Sequence, residues 1–404
     1  MTLQKINYNK IFYHSILIFA FILPLSRAGI SFFIILLPLL WIIEGNFIKK
    51  YQQIRSNKLL VIILIYLLFN IFSILWSNNI EQSLNVLRLN SYWLSLFVIA
   101  TSIKKEQVPK IISFFLAGMF ISEVIAYGVF FELWQFKHAT VENPSPFMFW
   151  IDYSVFMAFT SILLLNRILS TNYSYKQKFI FFIFFLSVTG NLFLAIGRTG
   201  QVAFIVAMFV MMIIHYKLNI KSILLSLIIL STIFTTAYQI SDSFKMRANS
   251  GIKDIQNIQK MNLNGSWGIR VAYWITTFDI AKQNPILGVG IGDFKDETTH
   301  ILKTYNYHYL NQETKKFMGK NDPHNQYLLI LLQMGIVGLI IFLYLIYQIL
   351  KLNIETKEIK ELSILFVTIF FVSCFAESLF FNQFSISLFV LFTGLFIASA
   401  NSNK

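Results

Sequence analysis

Asn325–Leu350, NQYLLILLQMGIVGLIIFLYLIYQIL, contains no charged side chain from end to end. A helix needs about 20 mostly apolar residues to cross a bilayer, so this stretch reads as a membrane span. Eleven further runs read the same way. Before it come Ile11–Ser26, Ala28–Ile43, Asn57–Trp76, Ser83–Ser102, Val108–Phe131, Phe149–Leu169, Phe179–Ile196, Gly200–Tyr216 and Ser222–Ile240. After it come Leu362–Phe380 and Phe384–Ala400. Lys5 and Lys10 precede the first run and no small-x-small site follows it, so it reads as a retained span rather than a cleaved signal.

The composition agrees. Of 404 residues, 56% are hydrophobic, 17% aromatic and 13% charged, and the mean hydropathy is +0.64. A soluble domain carries about 25% charged residues. These figures exclude a cytosolic enzyme, a disordered chain and a secreted disulfide scaffold. The single cysteine, Cys374, lies in an apolar run and cannot form an intramolecular disulfide. The expected fold class is an all-α polytopic membrane protein of about twelve transmembrane helices.

The net charge of +14 does not mark a nucleic-acid binder, because its placement follows the positive-inside rule. With both termini inside, 18 of the 33 basic residues fall in inner segments. Only Arg27, Arg88, Lys137 and Arg198 fall in short outer ones, and the remaining 11 lie in one long outer loop. The expected organisation is therefore spans one to nine over 1–240, a periplasmic loop over 241–324, and spans ten to twelve over 325–404.

That loop holds 11 basic and 8 acidic residues, too balanced for a nucleic-acid surface. Ser266–Gln283 places Trp267, Val271, Trp274, Ile275 and Phe278 at helical spacing. The face they form is expected to pack on span ends or to lie at headgroup level, where Trp is favoured. Asp296–Phe317 is a second, more polar helix candidate. Between them, Asn284–Phe294 (NPILGVGIGDF) reads as an irregular turn. It matches neither a P-loop nor a dinucleotide fingerprint, and its plain reading is a chain reversal.

The signatures of soluble enzymes are missing. There is no HExxH, no paired-cysteine metal site, no GxSxG and no Walker loop. No closely spaced acidic pair suits a metal-dependent transferase. His138, His300, His308 and His324 fall on the outer side, His14 and His215 at the inner side or in a span. His324 stands out in Lys320-Asn321-Asp322-Pro323-His324-Asn325. Asp322 is a good N-cap and Pro323 fits a first helical position. His324 would then sit in the first helical turn, where the helix dipole disfavours imidazolium and leaves a neutral, proton-accepting ring. The plain alternative is an interfacial capping histidine.

Arg198 lies in the short turn Gly197-Arg198-Thr199-Gly200, and Arg270 in the loop helix beside aromatic residues. Guanidinium is the planar donor suited to phosphate, and the flanking glycines permit close backbone approach by a ligand. Snorkelling or a structural ion pair is the alternative for each. Arg27 and Arg88, also at outer span ends, are additional candidates for a cationic pocket. Glu123, Asp152 and Glu377 are expected to neutralise these arginines rather than to catalyse.

Taken in order, four motifs resemble the O-antigen ligase and polymerase superfamily of bacterial envelope glycan transferases. They are Gly197-Arg198-Thr199-Gly200, then Arg270-Val271-Ala272-Tyr273-Trp274, then the Asn284–Phe294 turn. The last is Pro323-His324-Asn325-Gln326-Tyr327-Leu328, followed by Gly335-Ile336-Val337-Gly338. They cover about residues 190–345; the first six spans share only hydropathy and the Trp76-Ser77 ending of span three. The resemblance implies transfer at the periplasmic face of the bacterial inner membrane. The donor would be an undecaprenyl-pyrophosphate-linked glycan, and in the ligase branch the acceptor would be lipid A-core. It implies no metal ion, no ATP and no other cofactor. It implies an essential histidine, here His324, and arginines on the pyrophosphate, here Arg198 and Arg270. The rival readings are an O-antigen polymerase joining lipid-linked repeats and a lipid-oligosaccharide flippase or transporter. The one long outer loop and the polar cluster at one face favour the ligase.

Overall fold

The computed structural model describes residues 7–217 and 242–400, with isolated positions between 224 and 239. Among the described residues the fold is helical, and the one β-type interaction is a bridge between Ile354 and Ala400. Seven helices are long and apolar enough to cross a membrane: Arg27–Glu44, Lys58–Trp76, Lys105–Phe130, Trp150–Leu169, Tyr175–Leu194, Arg198–Tyr216 and Gln326–Leu350. Tyr8–Ile22 and Gln383–Ser399 are shorter apolar helices.

Twelve spans were expected, and the differences have local causes. The ninth, Ser222–Ile240, falls almost wholly outside the described residues. The fourth is broken into Ile80–Asn90, a tight turn at Ser91–Trp93, and Leu94–Ser102. Its first part is polar, with Glu81, Arg88 and Asn90. The Asn90 amide donates to Asn70 Oδ1 (3.1 Å), and Ser91 Oγ donates to the Arg88 carbonyl (2.7 Å). The eleventh becomes Lys357–Ser373, whose first turns carry Glu358, Lys360 and Glu361.

Two helices form the interior. Trp150–Leu169 and Gln383–Ser399 are buried along nearly their whole length, as expected of helices apolar on every side. Trp150–Leu169 packs against Tyr175–Leu194, Arg198–Tyr216 and Lys357–Ser373; Gln383–Ser399 packs against Leu94–Ser102. Outer helices turn their apolar side chains outward: Phe32, Ile35, Leu39 and Ile42 on Arg27–Glu44 are all exposed. That pattern suits a lipid solvent.

The loop has a small core of its own. Helices Asp242–Gln259, Ser266–Ala281, Phe294–Thr304 and Gln312–Lys320 lie within it. Leu263, Tyr273, Phe294, Ile301 and Met318 pack together with Leu329 and Leu332 of the following span. The single helix expected over Asp296–Phe317 is instead two. Asn311 caps the second by accepting from Thr314 N (2.8 Å), and Asn264 Oδ1 accepts from Asn311 N (2.9 Å) and Thr314 Oγ1 (2.9 Å). Helix Ser266–Ala281 appears nearly as expected, but it buries Gly268, Ala272, Tyr273 and Ile280. Trp267, Trp274 and Phe278 stay exposed, so the aromatic face is the open one, not the one on the span ends.

The glycine turn 284–294 is a splice. Span Gln326–Leu350 kinks at Gly335 (φ +61°, ψ −164°), and the turn supplies hydrogen bonds the kink would otherwise lose. Val289 N donates to Leu332 O (2.8 Å), Gly290 N to Gln333 O (3.1 Å), and Ile336 N to Pro285 O (2.9 Å). A Cβ on Gly335 would lie 2.2 Å from Ile286 O, and one on Gly288 (φ +70°) 2.5 Å from Leu332 O. At its far end Asp293 accepts from Ser77 Oγ (2.9 Å), Asn78 N (2.7 Å) and Asn79 N (2.7 Å). The turn thus ties the kinked span to the loop after Trp76, and the amides of Gly288, Val289, Gly290 and Gly292 are committed to protein acceptors.

Candidate active site

His324 sits in a turn zipped to a second turn. Gln326 N donates to Cys374 O (2.8 Å), Asn325 Nδ2 to Phe375 O (3.1 Å), and Phe380 N to Gln326 Oε1 (3.1 Å). This pairing brings Glu377 to His324 across 53 residues of chain: Nδ1 is 3.2 Å from both Glu377 oxygens. Asp322 Oδ1 lies 3.9 Å from the same nitrogen; it accepts from His324 N (2.9 Å) and from Ser378 Oγ (3.1 Å). Phe317 stacks on the ring at 6.2 Å and Tyr273 meets it edge-on at 6.4 Å.

Two expectations are corrected here. The N-cap is Asn325, which accepts from Tyr327 N (3.0 Å) and Leu328 N (3.1 Å); Asp322 closes an Asx turn instead. His324 therefore precedes the helix, in the left-handed region at φ +46°, uncommon for any side chain but glycine. Its ring is also not pushed toward neutrality. Burial pulls the imidazole down, and Arg270 adds to that. The hydrogen bond and charge of Glu377, with Asp322, outweigh both and leave its pKa above the usual 6.5. Glu377 as acceptor makes Nδ1 the donor, so the lone pair of the neutral ring is on Nε2.

Arg270 is part of the same electrostatic group. Its Nη1 donates to Ser266 O (3.0 Å), while its buried Nε has no hydrogen-bond partner. Burial lowers its pKa, against the pull of Glu377 and Asp254. Arg198 is reached from the loop side. Its Nη2 donates to Ser250 Oγ (3.1 Å), and a Cβ on Gly251 would lie 3.9 Å from both Arg198 Nη1 and Trp267 Cζ2. Gly251 thus has both Arg198 and Trp267 of the loop helix as neighbours. The flanking glycines serve protein rather than ligand: a Cβ on Gly200 would lie 2.0 Å from Ser154 O, and one on Gly197 2.5 Å from Trp150 O.

Arg27 and Arg88 line a separate cleft with Asp152 and Gln383. Asp152 is buried, accepts a short hydrogen bond from Ser385 Oγ, and lies in electrostatic reach of both Glu377 and Arg27. Of the three carboxylates expected to neutralise arginines, Asp152 and Glu377 are so placed. Glu123 lies instead beside Tyr127 and Tyr153. Sequence reading missed Glu377 as the histidine's partner; its only local signal is a carboxylate ending an apolar run.

Ligand atoms of Asp322, His324 and Glu377 lie within 4.8 Å of one another. These donor types suit a divalent ion. Here they are engaged in the hydrogen bonds just described.

Residues 181–343 match the family described as O-antigen ligase. An uncharacterised protein of Haemophilus influenzae is 30% identical over 178 residues, 42% of this chain and 43% of that one. A Rickettsia conorii protein whose name provisionally assigns it as a polysaccharide ligase is 33% identical over 97 residues, 23% of this chain and 22% of that one. The chain matches less than half the length of either relative. The matched segment encloses Arg198, Arg270, the glycine turn and His324. Glu377, Arg27 and Arg88 lie outside it.

Proposed function

We propose that this protein moves a glycan from undecaprenyl pyrophosphate to the outer-core sugar of lipid A-core. It would work at the periplasmic face of the bacterial inner membrane, with both termini cytoplasmic. The observation that carries the reading is the His324–Glu377 pair beside Arg270, three of whose elements fall in or against the segment of O-antigen ligase type.

In this reading His324 Nε2 accepts the proton of the acceptor hydroxyl as its oxygen attacks the anomeric carbon. Glu377 holds the ring through Nδ1 and stabilises the imidazolium that forms. The bond from the anomeric carbon to the pyrophosphate oxygen breaks on the opposite face, so configuration inverts. The electron pair leaves with the lipid pyrophosphate, where the fixed guanidinium groups of Arg198 and Arg270 stabilise it. The exposed Trp267, Trp274 and Phe278 face the polyprenyl chain and headgroups.

The test is reconstitution in nanodiscs with a synthetic lipid-pyrophosphate glycan and defined lipid A-core. The expected product is glycan on the core sugar, of inverted configuration, formed equally well in excess chelator. Joining of two donor glycans without core would make the protein a polymerase. Dependence on a divalent ion would turn Asp322, His324 and Glu377 into a metal site. Retained configuration would exclude single displacement.

A further inference from the structure

On the side of the molecule where Arg27 and Arg88 lie, two arginines line one open cavity. A cleft of ≈ 580 Å³ lies among the starts of Arg27–Glu44, Trp150–Leu169 and Gln383–Ser399. Arg27 and Arg88 line it, both exposed. Neither has a carboxylate within 4.0 Å among the described residues; Arg27 instead lies over the Phe384 ring at 5.7 Å. Gln383 fixes one wall, its amide donating to Arg27 O (2.9 Å) and Ser31 Oγ (2.9 Å). A second cavity of ≈ 450 Å³ shares Arg27 and Phe149 with the first and adds Lys137 and His138. Arg27, Arg88 and Lys137 thus line the two adjoining cavities, and Asp152 is the one carboxylate among their lining residues.

Beside the polar Ser31, Ser91 and Asn382, the walls are apolar side chains such as Ile34, Ile35 and Leu89, and these indicate the kind of anion. Ile35 both lines the cleft and is 62% exposed, on the same outward face as Phe32, Leu39 and Ile42. The cleft therefore opens sideways, with cations at the end of a helix whose flank is suited to acyl chains. An arginine pair above an apolar flank matches a phosphate carried on a lipid.

The cleft is also set apart from Arg270. Asp152 has Arg27 and Glu377 as electrostatic neighbours, and Glu377 has His324 and Arg270. Arg270 and His324 line neither cavity, and an anion spanning both cationic groups would come under the charge of Asp152 and Glu377. The two cationic groups suit two different anions.

We propose that the Arg27–Arg88 cleft holds the phosphate of a phosphorylated glycolipid, the acceptor, while Arg198 and Arg270 hold the donor's pyrophosphate. The assignment of that glycolipid as acceptor rests on the transfer reaction proposed above.

The experiment measures lipid binding by native mass spectrometry of the full chain, then acceptor and donor KM. The probes are a phosphorylated lipid A-core, its dephosphorylated form, phosphatidylglycerol and undecaprenyl pyrophosphate. Wild type should bind the phosphorylated glycolipid at least tenfold tighter than the dephosphorylated one. Arg27→Gln with Arg88→Gln should abolish that preference and raise the acceptor KM by a similar factor, moving the donor KM less than twofold. The double lysine variant should recover most of the preference, which separates charge from folding. Three results would overturn the proposal: no phosphate preference in wild type, donor binding lost in the glutamine variant, or phosphatidylglycerol competing as well as the glycolipid. The last would make the cleft a general lipid-headgroup site. Arginine-dependent glycolipid binding without any transfer would leave the cleft as a binding site and sink the proposed reaction instead.

Discussion

Two of the turns that enter the left-handed backbone region use it differently. In 284–294, and in the kink it meets, the positive φ values fall on glycines: Gly288, Gly290 and Gly335. Each lets two backbones approach to a distance that a Cβ would forbid. In 322–325 the positive φ falls on a histidine, where three titratable groups meet. Glycine in that region marks construction. A histidine held there costs roughly 1–2 kcal/mol and persists only where the surroundings over-determine it, here the hydrogen bonds to Asp322 and Glu377.

The sharpest way to break this contrast is at His324. Asn tolerates the left-handed region and cannot accept the hydroxyl proton, so His324→Asn should fold normally. Its transfer rate should fall by roughly 10²–10⁴-fold, the contribution of a positioned general base. Rates come from the nanodisc assay and folding from the thermal midpoint in detergent. Retained activity would return His324 to a capping role.

Gly335→Ala should behave in the opposite sense. Its Cβ would meet Ile286 O at 2.2 Å in a strained conformation, and overpacking of this kind costs about 1–3 kcal/mol beyond the backbone strain. The folded yield and thermal midpoint should drop, while whatever protein folds keeps its rate per molecule. A lowered rate in folded protein would mean that the turn acts in catalysis after all. Asp293→Asn tests the other end of the splice. It exchanges one acceptor oxygen for a donor facing backbone amides, and the loss should be about 1–3 kcal/mol of stability, read as a lower thermal midpoint with binding of both lipids intact.

What could be read in the sequence follows from the range of the interactions. Membrane character was legible because it is local: length and apolarity of each run decide it. The fourth run departs from one continuous helix where polar residues such as Asn90 interrupt it and another helix supplies their partners. The loop helix Ser266–Ala281 was legible as a helix, yet not which face it buries, because small residues (Gly268, Ala272) pack as well as large ones. His324, Arg198 and Arg270 stood out from their neighbours in sequence. Glu377 did not, because its meaning depends on two turns zipped across 53 residues. The capping argument at Asp322 failed locally, because Asn325 caps the helix; the expected neutral ring failed because a distant carboxylate reversed the sign expected from the helix dipole.

That reversal gives the finest test. Glu377 raises the His324 pKa by hydrogen bond and charge, against burial and Arg270. As the ring accepts a proton in its neutral form, kcat/KM should rise with pH through a midpoint above 6.5. Glu377→Gln removes the main raising influence, so the midpoint should move to lower pH. The plateau should fall roughly 10–100-fold, the effect of losing a charge-assisted hydrogen bond of about 1.5–3 kcal/mol. Linkage fixes a second, independent sign. A raised folded-state pKa stabilises the wild type below the unfolded value and ceases to do so as pH climbs through the folded one. The stability deficit of Glu377→Gln should therefore be larger at low pH and shrink as pH rises. A capping histidine would show the stability effect without the shift in the rate profile. Only a ring that both bonds Glu377 and takes the proton in the reaction moves the two together.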